Sequence, residues 1–238
     1  MNNPRRQFDL WTVLVAMAYP TLLTCAYFLW FKDAGGWQKG VYAVGKLAQF
    51  VFPIFCVAWL AKERLQFGFR RTMVGWGLAF GGVVGTLLVT GYFLGLKAWL
   101  PPQLAAEVQG KLVAFGITSV VAYAALGLFY TVVHSLLEEY YWRWFVFRRL
   151  ESFVSPTVAI VISGLGFMAH HVVVLGTFFG WDNSLGYLCS LAVAIGGWFW
   201  AWLYRRSDYQ LLAPWLSHLL IDAAIFFVGY DLARVVFV

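Results

Sequence analysis

The chain has 238 residues, 62% hydrophobic and only 12% charged, with 13 Trp, 22 Phe and a mean hydropathy of +0.74. Ordinary globular domains carry about 45–50% apolar and about 25% charged residues, so a water-soluble domain is excluded and a single integral-membrane domain over residues 1–238 is expected. The net charge of +6 fits basic loops at a lipid surface and does not call for nucleic acid, while Cys25, Cys56 and Cys189 lie in apolar runs without the CxxC spacing of a disulfide framework or zinc knot.

A spanning helix needs about 20 apolar residues. Runs of that order occur at Leu10–Phe31, Val41–Ala61 and Thr72–Leu96. After an interfacial stretch around Pro101–Lys111 come Leu112–Phe147, Ser155–Phe179, Asn183–Tyr204 and Tyr209–Tyr230. The pattern predicts an all-α, polytopic transmembrane bundle of about seven spans. The first run follows Arg5 and Arg6 and is too long for a signal-peptide core, so it reads as a retained anchor. A cytoplasmic N-terminus puts Arg5, Arg6, Lys62, Arg64, Arg70, Arg71, Arg143, Arg148, Arg149, Arg205 and Arg206 on or near the inside and leaves Lys32, Lys39, Lys97, Lys111 and Arg234 outside, as the positive-inside rule expects. Lys46, within the second span, is expected to snorkel outward. Gly77, Gly81 and Gly85 recur every four residues and form one face for close helix packing. Pro20, Pro53 and Pro214 fall inside apolar runs, where proline kinks a helix.

Ionisable side chains inside a span are costly, and each is a functional candidate by default. They gather on the helices of about residues 112–230: His134, Glu138, Glu139 and Arg143 on the fourth segment, His170 and His171 on the fifth, His218 and Asp222 on the seventh. At about 1.5 Å per residue from the basic flanks, Glu139 and His218 lie roughly 15–18 Å deep and His171 slightly deeper, so carboxylates and imidazoles from three helices can meet at one level. Glu139–Arg143 and His218–Asp222 are i,i+4 pairs, each on one helix face.

A water between a carboxylate and an imidazole becomes a nucleophile when the carboxylate takes its proton, and His218 on an opposing helix can supply a donor to a developing oxyanion. A second arrangement uses His171, His218 and Asp222 as metal ligands, with Glu138 as base. HExxH, the short signature that would decide for zinc, is absent, and so is a GxSxG nucleophile elbow. Neither arrangement is excluded at this stage. Zinc stays possible, with no cofactor required on the first reading.

Glu138-Glu139-Tyr140-Tyr141-Trp142-Arg143 reads EExxxR, Phe167 to His171 reads FxxxH, and His218 to Asp222 reads HxxxD. In that order, each on its own hydrophobic helix, these motifs resemble the CPBP family of intramembrane proteases, the CAAX-prenyl endopeptidases and bacteriocin-processing enzymes also called the abortive-infection family. The resemblance covers about residues 130–226. It implies a membrane-embedded endopeptidase in which Glu138 and His171 activate water while His218 and Asp222 stabilise the oxyanion. Glu139, Arg143, His170 and Phe167 stand in support, and Phe167, four residues before it, selects His171 over His170. Members of the family are described both as glutamate-type and as zinc enzymes. CAAX-cleaving members often carry Asn where this chain has Asp222, which can donate to an oxyanion only when protonated.

The expected partners are the bilayer and a membrane-embedded peptide or protein substrate: a sorting tail, a bacteriocin-type leader or a CAAX-type segment. The short basic loops suggest a bacterial-type inner (plasma) membrane and favour a peptide or sorting-signal substrate over a prenylated one. A proton-relay transporter would use the same buried groups but calls for paired half-repeats, and the sequence shows no such symmetry. A catalytically silent scaffold would have less need of a nearly complete motif set.

Overall fold

The computed structural model describes residues 4–32 and 35–237; the side chains of Arg5 and Arg6 lie outside what is described. Among the described residues the chain is helical, without strands. The long helices are α1 (Gln7–Trp30), α2 (Gly36–Leu60) and α3 (Val74–Leu94), then the shorter α4 (Pro102–Ala114), α5 (Val120–Leu150), α6 (Pro156–Phe179), α7 (Ser184–Arg206) and α8 (Leu212–Ala233). Six of them, α1 to α3 and α5 to α7, are long and apolar enough to cross a membrane. The seventh expected span coincides with α8, whose 22 residues give about 33 Å of helix at the usual rise.

The segment expected as one run from Leu112 is divided. α4 ends at Ala114, Gly116 turns the chain at φ +71°, and the Ser119 hydroxyl caps α5 by accepting from Ala122 N at 3.2 Å. Apolarity runs through this turn unbroken, which is why hydropathy alone places the boundary too early.

Proline acts differently at its three positions. Pro20 lies inside α1 and removes the donor that Ala16 O would use. The Tyr141 hydroxyl of α5 donates to that oxygen at 2.7 Å instead. In α2, Pro53 is followed by wide i→i+5 turns over Phe55–Leu60, and the Tyr140 hydroxyl donates to Phe50 O at 3.2 Å. Pro214 does not kink its helix: it falls in the first turn of α8, where backbone N–H groups have no intrahelical acceptor in any case. Two adjacent tyrosines thus anchor α5 to α1 and α2 just beyond Glu138 and Glu139.

The glycine face of α3 packs along α8. A Cβ at Gly77 would sit 2.3 Å from Ala213 O, and one at Gly81 2.5 Å from Ser217 O, so only glycine permits this approach, as small-residue interfaces in membranes require. The residue after Ser217 is His218, and the α3 contact therefore sets its position. On the other side, the C-terminal half of α5 is enclosed by neighbouring helices. All eight residues Tyr140–Phe147 are buried and pack with parts of α1, α6 and α7.

Candidate active site

α5 is α-helical over Ser135–Glu139 only in the stretch that matters here, between wide i→i+5 turns at Phe129–His134 and Tyr140–Phe147. Such turns occur frequently at functional sites because they shift the phase of a helix locally. Here two successive carboxylates both face the interior, Glu138 at 4% exposure and Glu139 at 0%.

Their surroundings differ. Glu138 Oε1 lies 3.3 Å from His134 Nε2, one turn earlier on α5, and 3.6 Å from His170 Nε2 of α6, while Oε2 lies 3.7 Å from His218 Nε2 of α8. Glu139 Oε1 accepts from His218 Nδ1 at 2.8 Å, and its Oε2 pairs with Arg143 Nε at 3.2 Å. The Arg143 guanidinium is 2% exposed, lies over the rings of Phe167 and Trp200, and donates from Nη2 to Gly197 O at 3.4 Å. Glu139, Arg143 and His218 form one buried charge network across α5, α7 and α8. An acceptor at Nδ1 commits the His218 proton there and directs Nε2 toward Glu138 and toward Asp222 Oδ1, 3.6 Å away. The indole of Trp200 stacks on the His218 imidazole at 4.1 Å between centroids, with its Nε1 held by Ser217 Oγ at 3.0 Å.

Of the tandem histidines it is His170, not the His171 that Phe167 was expected to select, that makes the ion-pair contact to the carboxylate, while His171 brings a ring nitrogen within 4.8 Å of it. His170 is stacked parallel to Trp142 and makes the 3.6 Å approach to Glu138, whereas His171 donates from Nδ1 to Phe167 O at 2.9 Å. That bond leaves the His171 Nε2 lone pair free to accept from water or bind an ion. Glu138, His170 and His171 each present one ligand atom within 4.8 Å of the others. Of the metal candidates His171, His218 and Asp222 expected from the sequence, only His171 belongs to this group. These three ligands come together because one turn of α6 faces the Ser135–Glu139 stretch of α5.

His134 is the residue that motif reasoning left aside. Its i,i+4 spacing to Glu138 was the available signal, since it places both side chains on one face. Trp200 carries no sequence signal, because its contact to His218 depends on how α7 and α8 cross.

Residues 118–224 match the family model described as Rce1-like, type II CAAX prenyl endopeptidase Rce1-like. The match takes in all three motifs and agrees with the family read from them. No curated protein and no solved structure matches the chain.

Proposed function

We propose that this chain, whose residues 118–224 match the type II CAAX prenyl endopeptidase Rce1-like family model, is a membrane-embedded CAAX protease-type enzyme that hydrolyses a peptide bond in a membrane-associated peptide or protein by a water that Glu138 deprotonates. The observation that carries this reading is the Glu138 carboxylate itself, buried within 3.3–3.7 Å of imidazoles from α5, α6 and α8. Water held between Glu138 and His171 Nε2 gives its proton to Glu138, and its oxygen bonds to the scissile carbonyl carbon. As an imidazolium, with one proton on Nδ1 held by Glu139 and a second on Nε2, His218 rests against the face of Trp200 and donates from Nε2 to the oxyanion. Asp222 stands on the far side of that Nε2 and, protonated, is a second donor. The C–N bond then breaks as Glu138 passes the proton to the leaving amine, so the carboxylate returns to its starting state. Arg143 has no part in proton transfer; its 3.2 Å pair with Glu139 orients that carboxylate.

The donor set Glu138, His170 and His171 also fits a divalent ion such as zinc, one nitrogen or oxygen from each. Such an ion, when bound, would supply Lewis acidity toward water and carbonyl oxygen. The reaction as proposed runs on the chain's own groups and needs no obligatory metal. The substrate belongs to the CAAX-type, sorting-tail or bacteriocin-type segments that present a bond at this depth, in a bacterial-type plasma membrane with the N-terminus cytoplasmic.

The test is cleavage by the purified full chain in lipid nanodiscs, offered a farnesylated CAAX-type peptide and an unprenylated sorting-tail peptide. At least one is expected to be cut by the parent protein, and Glu138→Gln is expected to lose about 10²-fold or more of that rate, the usual worth of a general base, while melting like the parent. Cleavage at the parent rate by Glu138→Gln would show that another group takes the proton.

A further inference from the structure

The two ends of the bundle are closed in different ways. At the basic end the closure is core: Tyr140–Phe147, Tyr204, Ser207 and Leu211 are all buried, and the Trp144 indole is tied to Gln66 O at 2.7 Å. Close packing of that kind opens only with the fold. At the opposite end the short helix α4 touches the ends of four others and so lies across the mouth they form. Gln103 Nε2 donates to Phe179 O of α6 at 3.1 Å, and Gln109 Nε2 donates to Leu232 O of α8 at 2.7 Å. The Lys39 ammonium of α2 donates to Ala114 O, and the Lys111 ammonium lies 5.3 Å from the rings of Tyr27 and Phe28 of α1. Beneath these contacts α4 buries only Leu104 and Leu112. A helix of 13 residues is marginal alone, and one held by a few polar contacts and two leucines belongs to the parts of a protein that open locally. Its exit is Gly116, whose φ of +71° and open surroundings make it a pivot that no packing restrains.

Under α4 a column of polar and aromatic side chains leads to the site. Lys111 lies over Tyr27, whose ring is 4.4 Å from that of Tyr42. The Lys46 ammonium, which does not snorkel outward, sits between Tyr42 and Phe50 at 5.6 Å and 5.7 Å from their ring centroids. The Phe50 ring lies 6.1 Å from that of His134, whose Nε2 is 3.3 Å from Glu138. Tyr130 flanks His134 on the α5 side at 4.8 Å. Each member neighbours the next, so the column joins the underside of α4 to Glu138 without a break. An ammonium and phenols in file within the spans of α1, α2 and α5 are costly against lipid and mark a hydrated passage.

We infer that α4 is a lid: it closes the end of the bundle away from the basic loops, and its lifting about Gly116 opens the passage along α2 by which water and an extended peptide reach Glu138. The peptide's use of the passage rests on the endopeptidase reading above; the lid itself does not, and two measurements on the full chain in nanodiscs keep them apart. Both use a parent carrying Cys25→Ala, Cys56→Ala and Cys189→Ala. In the first, Tyr42→Cys supplies a thiol in the passage, and its labelling by a water-soluble trimethylammonium thiosulfonate is timed. Adding Gln103→Ala, Gln109→Ala and Lys111→Ala together is expected to speed labelling roughly tenfold or more, the effect of losing two hydrogen bonds that hold the closed state, while Glu107→Ala at an exposed position of α4 leaves the rate unchanged. An equal rate with and without the three side chains overturns the lid. The second measurement holds α4 down, with Gln109→Cys and Leu232→Cys joined by a short bismaleimide that carries a reducible disulfide. Peptide cleavage is expected to fall about tenfold or more, as for an enzyme whose lid cannot open, and to return on reduction. Cleavage at the unlinked rate by fully cross-linked protein overturns the lid, whether or not the loosened variant folds. Labelling that depends on α4, with no peptide cleaved by the parent, would leave the lid standing and sink the endopeptidase reading instead.

Discussion

Glu138 and Glu139 are neighbours on one short stretch of helix, yet they are held in opposite ways. Glu139 is locked by a 2.8 Å bond to His218 and a 3.2 Å pair with Arg143, whose guanidinium is itself clasped by two rings and a carbonyl. Glu138 has three imidazoles around it at 3.3–3.7 Å, none at the short distance of a charge-assisted hydrogen bond. The difference teaches a division of labour. A carboxylate that must accept and return a proton cannot be bound to a permanent cation, whereas one that must orient an imidazole gains from it.

Exchanging each carboxylate for its amide tests that division most strongly. Glu138→Gln should lose about 10²-fold or more of peptide cleavage with thermal stability unchanged or slightly raised, because it removes a buried charge. Glu139→Gln should instead destabilise the fold, by about 3–5 kcal/mol, since it leaves Arg143 buried without its partner; thermal unfolding in detergent, read beside the cleavage rate, distinguishes the two. If both variants lost activity and stability in equal measure, the two carboxylates would share one role.

The α3–α8 contact offers the next largest effect. Gly81→Leu places a side chain where Ser217 O now lies 2.5 Å from an added Cβ, forcing α8 and His218 away from Glu139. About 1–3 kcal/mol of overpacking cost is expected, together with a greater loss of cleavage than Gly82→Leu on the open side, where no atom lies within 4 Å of an added Cβ. Equal effects at the two glycines would mean that α8 is positioned from elsewhere.

His134→Gln sharpens the Glu138 side of the comparison. Loss of the imidazole that lies 3.3 Å from Glu138 should lower kcat by about tenfold, the worth of one hydrogen bond to a charged group, without the stability loss expected of Glu139→Gln. The smallest effect belongs to Asp222. Its 3.6 Å distance to His218 exceeds hydrogen-bond length, and Asp222→Asn, which keeps a donor in place, should retain activity within about threefold. Metal content and cleavage after exhaustive chelation complete the set: activity is expected to survive, and stoichiometric zinc whose removal abolishes cleavage and whose return restores it would transfer the water-activating role to an ion held by Glu138, His170 and His171.

Much of this protein was legible without coordinates. Apolar runs of spanning length, the four-residue glycine spacing and the i,i+4 pairs are local properties, each dictated by helix period and by the cost of exposing polar groups to lipid. They pointed to the membrane-embedded helical class, the α3 packing face, the Glu139–Arg143 pair and the similar depth of Glu139, His171 and His218. What only the tertiary structure decided is rotation and partnership between helices. A single-helix wheel cannot place two successive glutamates inward or show that His170, rather than His171, makes the contact to Glu138, because the i→i+5 turns at Phe129–His134 and Tyr140–Phe147 change the phase of α5. It cannot show that Trp200 covers His218, since that contact arises where one helix crosses another. Hydropathy is summed along one chain segment, while pairing is settled by close approach between segments, here permitted by the glycines of α3 and the proline-freed carbonyl of α1 that Tyr141 reaches.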